Sequence, residues 1–315
     1  MRNPRHVALA LTVVVIWGVN FVVIGVALEG FPPLLLATLR FVLTGLAAVL
    51  VPRPRVPWRW IAAVGLCTLA GQYGFLFVAM AQGLPEGLSS LVLQAQVPFT
   101  VLFAAVLLRE HTTPRQLVGI AVAAAGLVAI GIGRGGSVTL GALLLCVASG
   151  GAWACGNICT KKAAADNGFA LLVWASLFAV PPLAGLSLAM EGPHRIAASL
   201  SHLKAAPVAA LLFVVIVSTL FGMGSWVMLM SKNPASAVVP YALGVPAVGL
   251  VAAAVLHGEH ASAVELAGAA VVLFGLLGIV WNRTPDAHGA RKAAKASVLA
   301  AKVREAREVQ EARST

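Results

Sequence analysis

The sequence predicts an all-α polytopic membrane protein of ten transmembrane helices arranged as two inverted five-helix repeats. Three observations predict it. Hydrophobic residues make up 60% of the 315-residue chain and charged residues only 10%, against about a quarter charged in soluble domains. A soluble fold could not cover its surface with so few polar groups. The apolar residues fall in long blocks, each close to the ~20 residues that cross a bilayer core as helix. Finally, a stretch near the middle of the chain recurs near its end.

The blocks place spans at 7–28, 34–51, 60–81, 84–108, 116–133, 138–160, 169–189, 207–230, 235–256 and 263–281. Backbone polar groups inside lipid must be satisfied within the segment, which makes these spans helices. An outer-membrane barrel is excluded, because no run of ten-residue segments alternates apolar and polar positions. The first block follows a basic N-terminus, as the apolar core of a signal peptide would. It is too long for such a core, and Trp17 and Asn20 interrupt it without a small-residue cleavage site. It is the first span.

The recurrence is Val106-Leu107-Leu108-Arg109-Glu110-His111 against Val255-Leu256-His257-Gly258-Glu259-His260. At the same offset Leu117, Gly119, Val122, Gly126, Leu127 and Ile130 meet Leu266, Gly268, Val271, Gly275, Leu276 and Ile279, and Pro85 meets Pro234. Apolar matches arise by composition, but a shared Glu-His pair does not. The chain therefore divides into a first five-helix repeat at 1–134, a second at 135–282 and a basic tail at 283–315. Five is odd, so the second half is inverted in the membrane relative to the first. Inverted repeats with a substrate site near the midplane are a mark of transporters.

A net charge of +11 suggests a nucleic-acid partner until the charges are placed. With the N-terminus inside, 18 of the 22 Lys and Arg fall in cytoplasmic segments. Arg134, Arg195 and Lys204 fall outside, and Arg40 lies within the second span. Such an excess sets topology and implies that both termini are cytoplasmic, in a cell inner membrane. The expected partners are the bilayer and a small molecule, with no nucleic acid. The tail, with Arg291, Lys292, Lys295, Lys302, Arg304 and Arg307, is either a helix drawn to anionic lipid or a solvated extension.

Four cysteines, Cys67, Cys146, Cys155 and Cys159, lie inside spans. Cys155 and Cys159 share a helix face without a His or carboxylate beside them, so they are taken as small core thiols; no metal or cofactor is expected. Gly131 to Gly136 spells a dinucleotide fingerprint but lacks its strand–helix context. Asn282-Arg283-Thr284 spells a glycosylation acceptor on the cytoplasmic side. His257 and His260 stand at a membrane border without a ligand set. Glu110 and Glu259 precede new spans, where a carboxylate favours a helix N-terminus.

Polar groups inside the membrane are costly, and each is a candidate until a partner is found. The first span offers Trp17 and Asn20, and the sixth offers Trp153 and Asn157, each pair on one face. An Asn amide donates and accepts, as a substrate bearing ammonium and carboxylate requires. A Trp face attracts an ammonium. Interhelical bonding is the competing role for these amides. Gln72 and Tyr73 lie in the third span. Gln94 and Gln96 lie about 200° apart in the fourth, so that one faces a cavity and the other a neighbour. Ser218, Gly222 and Ser225 form a stripe beside Trp226 in the eighth span, and Tyr241 lies in the ninth. Arg40 could bind a carboxylate, cap backbone carbonyls or snorkel outward, with the structural roles favoured.

Several of these stretches carry a family resemblance: Trp17-Gly18-Val19-Asn20-Phe21-Val22, Pro32-Pro33 with Arg40-Phe41, and Ser89-Ser90-Leu91-Val92-Leu93-Gln94-Ala95-Gln96. Trp153-Ala154-Cys155-Gly156-Asn157 with Lys161-Lys162 and the repeated Glu-His complete it. The chain resembles the drug/metabolite transporter superfamily, and within it the EamA family, over all ten spans. It is most similar to members that export cysteine and O-acetylserine. That resemblance implies efflux of a small amino-acid metabolite by alternating access, or broader export of amino acids and toxic analogues. A membrane enzyme is not expected, since none of the 11 acidic residues falls mid-span. A channel is not expected either, for want of a re-entrant segment.

The charge distribution makes a direct prediction. In a background without native cysteines, single cysteines at residues 161–168 should label only from the cytoplasmic side. Those at residues 191–206 should label from outside. Labelling of the 161–168 segment from outside would overturn the ten-span topology.

Overall fold

The computed structural model describes residues 3–109, 112–133, 139–233, 238, 241–258 and 262–281. Among these residues every regular element is helical. The apolar helices are α1 (Pro4–Leu28), α2 (Pro33–Leu46), α3 (Trp58–Ala81), α4 (Glu86–Leu107) and α5 (Pro114–Gly133). They continue with α6 (Leu140–Ala163), α7 (Gly168–Met190), α8 (residues 205–232), α9 (Gly244–His257) and α10 (Ala263–Trp281). Within this set, α1, α3, α4, α6, α7 and α8 are long and apolar enough to cross a membrane, and four shorter apolar helices accompany them. The molecule is a polytopic membrane protein. Glu110, His111, Glu259, His260 and the basic tail lie outside the described residues.

Local winding departs from regular helix at points that matter. The second span ends early: α2 finishes in a 3-10 turn at Ala47–Val49, since Pro52 and Pro54 follow and a pre-proline residue avoids the helical region. Inside α4 a 3-10 turn at Leu93–Ala95 interrupts the α ladder. Two π-helical segments occur, Gly65–Gly71 within α3 and Phe213–Met223 within α8. Each contains the same four-residue pattern, Thr68-Leu69-Ala70-Gly71 and Thr219-Leu220-Phe221-Gly222. In the second, Thr219 Oγ1 donates to the Val214 carbonyl five residues back at 2.7 Å, a reach that suits the wider π winding.

Packing follows a crossed pattern. Helix α5 lies on α10, α2 on α7, α1 on α9 and on α8, and α6 on α4 and on α3. Between α5 and α10 the backbones nearly touch. A Cβ on Gly119 would stand 2.7 Å from the Gly275 carbonyl, and one on Gly126 would stand 2.9 Å from that of Gly268. Small residues at such crossings let helices gain van der Waals contact where lipid offers no hydrophobic drive. Gly119 and Gly126 are the repeat counterparts of Gly268 and Gly275, so the contact is reciprocal.

Helices α2 and α7 are fastened at both ends. The N-terminus of α2 leaves backbone N–H groups without helical partners. The Glu191 carboxylate accepts from Leu34 N at 2.6 Å and Leu35 N at 3.0 Å, and from Ser187 Oγ at 2.6 Å. At the other end Trp174 Nε1 donates to the Val51 carbonyl at 3.0 Å. A short amphipathic connecting helix, Pro193–Ser201, is held to the α1–α2 turn by Ser199 Oγ donating to Gly30 O at 2.6 Å. These clamps fix the height at which α2 presents Arg40.

If the α5–α10 contact is as close as described, Gly119→Val should overpack it at a cost of about 1–3 kcal/mol. Gly185 on α7 has open space where its Cβ would be, and Gly185→Val is the control. Thermal unfolding in detergent should show a lowered midpoint for the first and little change for the second. Equal midpoints would contradict the packing.

Candidate functional site

The site is built on the π segment of α8. Trp17, from the middle of α1, donates through Nε1 to the Ser218 carbonyl at 3.2 Å. Its ring lies 5.3 Å from that of Trp226, tilted by 47°. Gly222 makes the approach possible, because a Cβ there would stand 2.8 Å from Trp17 Nε1. The next residue after Ser218 receives a charge: Arg40 Nη2 donates to Thr219 Oγ1 at 2.8 Å. Thr219 donates its own O–H to Val214 O, so its lone pairs are directed at the guanidinium.

Arg40 is only 2% exposed. The guanidinium carbon stands 3.9 Å from the Tyr73 ring centroid and 5.6 Å from that of Phe41. Tyr73 is in turn held edge-on between Phe41 and Phe77. This corrects the expected structural roles: the side chain neither snorkels outward nor caps carbonyls. A buried cation is tolerated here by a hydroxyl and an aromatic face. Among the described residues its Nε and Nη1 have no hydrogen-bond partner, and neither has Oδ1 of Asn20, which is 7% exposed one turn beyond Trp17. Donors and an acceptor are thus left unpaired in the interior.

The second tryptophan–asparagine pair is arranged differently. Asn157 Nδ2 donates to Gln96 Oε1 at 3.2 Å and to Thr100 Oγ1 at 3.0 Å. These bonds join α6 to α4, as interhelical bonding would. Trp153 packs on the main core. Gln94 Nε2 reaches Ala242 O at 3.4 Å. Each of the two α4 amides thus bonds to another segment, Gln94 to Ala242 O and Gln96 to Asn157. Gln72 is buried, and its carbonyl accepts from Ser149 Oγ at 2.7 Å. Tyr241 packs beside Trp226 on Leu229 and Val238, with Ser225 half-buried next to them.

Folding also brings together residues that local pattern kept apart. Thr219 does not stand out by periodicity; its one signal is the Thr-Leu-x-Gly pattern that α3 and α8 share. His257, read as a border residue, has Nδ1 3.4 Å from Glu86 Oε1, linking the ends of α9 and α4. Cys67 joins Cys155 and Cys159, which spacing alone had left as a pair.

The sequence profile of the EamA-like transporter family matches residues 5–132 and 140–281. A probable amino-acid metabolite efflux pump of Salmonella typhimurium is 42% identical over 275 residues, covering 85% of this chain and 92% of that protein. A protein of the same description from Escherichia coli is 37% identical over 286 residues, covering 87% and 96%. One solved crystal structure superposes with a TM-score of 0.62 at 18% identity, covering 90% of this chain and 99% of the other, a likeness of fold.

The contact between Arg40 and Thr219 predicts energetic coupling. Thr219→Val keeps the shape but removes the hydroxyl that accepts from Arg40 Nη2. A hydrogen bond to a charged group is worth about 1.5–3 kcal/mol. In a double-mutant cycle with Arg40→Met, thermal stability of the double variant should exceed the additive expectation. Additive losses would mean that the two side chains do not act on each other.

Proposed function

The chain belongs to the EamA-like transporter family, and from that premise we propose that it exports small amino-acid metabolites such as O-acetylserine and cysteine across the inner membrane. Its relatives of 42% and 37% identity are described as probable amino-acid metabolite efflux pumps. The observation that carries the reading is the unpaired groups of Arg40, which bonds the π segment of α8, and of Asn20, one turn from the Trp17 that bonds the same segment. An amino acid brings a carboxylate that accepts and an ammonium that donates. Arg40 Nε and Nη1 offer donors, and Asn20 Oδ1 offers an acceptor. The Trp17 and Trp226 rings supply an apolar and cation-attracting wall.

In this reading the ten apolar helices are ten spans, with both termini cytoplasmic, and residues 1–134 and 135–282 are inverted repeats. Reciprocal packing supports it. Exchanging each helix for the one five further on turns the α1–α9 contact into α6–α4 and α1–α8 into α6–α3. The same exchange returns α2–α7 and α5–α10 to themselves, and it relates the two π segments. Alternating access then consists of the halves rocking about a site between them. Asn20, Arg40, Tyr73, Trp17 and Trp226 touch the substrate. Gln72, Gln94, Gln96, Trp153, Asn157, Ser225 and Tyr241 surround them.

Counterflow of labelled O-acetylserine in proteoliposomes tests the function, with cysteine and other amino acids as competitors. No counterflow would refute it, and equal competition by all amino acids would favour the broader exporter. The two asparagines should part company. Asn20→Ala should weaken binding by about 10- to 150-fold, the loss of a bond to a charged group, with unfolding temperature preserved. Asn157→Ala should lower the unfolding temperature and leave affinity alone. If Asn20→Ala binds like the parent, the proposed site is wrong.

A further inference from the structure

Three thiols from two helices meet at one point. Cys67 lies in the π segment of α3, and Cys155 and Cys159 stand one turn apart on α6. Cys67 Sγ is 3.6 Å from Cys155 Sγ, and all three sulfurs lie within 4.8 Å of one another. All three residues are free and half-buried. The helices approach closely here: Gly156 abuts Thr68 so tightly that a Cβ would collide with the Thr68 hydroxyl. The substrate site described above uses none of these sulfurs.

Three soft donors at van der Waals distance select a thiophilic centre. Charge then decides which. Zinc would carry three thiolates to a net charge of −1 and still want a fourth ligand, and no His or carboxylate belongs to the cluster among the described residues. Copper(I) with three thiolates would reach −2. Net charge inside a membrane domain costs several kcal/mol. A trivalent centre is the one that leaves three thiolates neutral.

We propose that Cys67, Cys155 and Cys159 form a binding site for a trivalent thiophilic metalloid of the arsenite class. Neutral arsenous acid, As(OH)3, meets three neutral thiols. Three As–O bonds break and three As–S bonds form, and each thiol proton leaves with a hydroxyl as water. Arsenic stays trivalent, three waters are released, and no charge appears at any stage of the balance. The product ties α3 of the first half to α6 of the second. The site stands at the α6 end that carries Lys161 and Lys162, which the proposed topology puts in the reducing cytoplasm, where thiols persist.

Arsenite itself is the probe, and the readout is binding, so the outcome is independent of the transport reading. The full-length purified protein, kept reduced with a non-thiol reductant, is incubated with arsenite and gel-filtered. Arsenic per chain is then counted by elemental mass spectrometry, and cysteine protection from alkylation by peptide mass spectrometry. The parent and Cys146→Ser should retain one arsenic per chain, with Cys67, Cys155 and Cys159 protected together. Cys67→Ser, Cys155→Ser and Cys159→Ser should each lose retention at arsenite concentrations that saturate the parent. Thermal unfolding without arsenite verifies that each variant is folded, and Cys67→Ala replaces Cys67→Ser if the latter is not. Failure of the parent to retain arsenic would overturn the proposal. So would full retention by a folded Cys67 variant, which would leave only the Cys155–Cys159 pair at work.

Discussion

Everything in this molecule answers to one constraint: a polar group within a membrane domain must find its partner inside the protein. Most do so locally. Thr38, Thr44 and Ser176 donate to carbonyls four residues back on their own helices. Others reach across, as Ser149 does to Gln72 O and Trp174 to Val51 O. Against that background the atoms left over are informative. Among the described residues they are Asn20 Oδ1, Arg40 Nε and Nη1, Thr68 Oγ1 and Ser89 Oγ. Three of these five belong to Arg40 and Asn20, the two residues on which the proposed substrate site draws. A buried unsatisfied donor costs about 1–3 kcal/mol and more when charged, so such groups are retained where a ligand completes them.

The π segments explain how the polar positions come to converge. Each inserts extra backbone per turn and rotates the residues beyond it relative to regular helix. In α8 this presents Ser218 O to Trp17 and Thr219 Oγ1 to Arg40, two successive residues serving two different helices. In α3 the matching segment presents Cys67 and Thr68 to α6. The same winding therefore builds the tryptophan–arginine site on one side and the three-thiol cluster on the other. Glu191, bonded to the first N–H groups of α2, holds the arginine-bearing helix against α7.

Much of the architecture was legible in the sequence, because hydrophobic block length is a one-dimensional property. The apolar stretches are helical where described, and the family resemblance read from Trp17 through Asn157 agrees with the family match. The candidate site was legible in its parts but not its grouping. Trp17, Asn20, Arg40, Tyr73 and Trp226 were each singled out as polar or aromatic residues inside spans. That Arg40 meets a residue 179 positions away could not be read from spacing. The partners of Gln94 and Gln96, Ala242 O and Asn157, lie far along the chain and could not be named from spacing along α4. Asn157 looked equivalent to Asn20 in sequence, yet only the fold supplies Gln96 and Thr100 as its partners.

The central claim is that unpaired donors of Arg40 meet a substrate carboxylate. Equilibrium binding of O-acetylserine and of its methyl ester to the parent protein tests it most directly, since the ester keeps the ammonium and the acetyl group and removes only the negative charge. The ester should bind about 10- to 150-fold more weakly, the loss of a hydrogen bond to a charged group. An Arg40→Met variant should bind the two ligands with nearly equal affinity. Equal binding of acid and ester by the parent would mean that Arg40 does not meet the carboxylate.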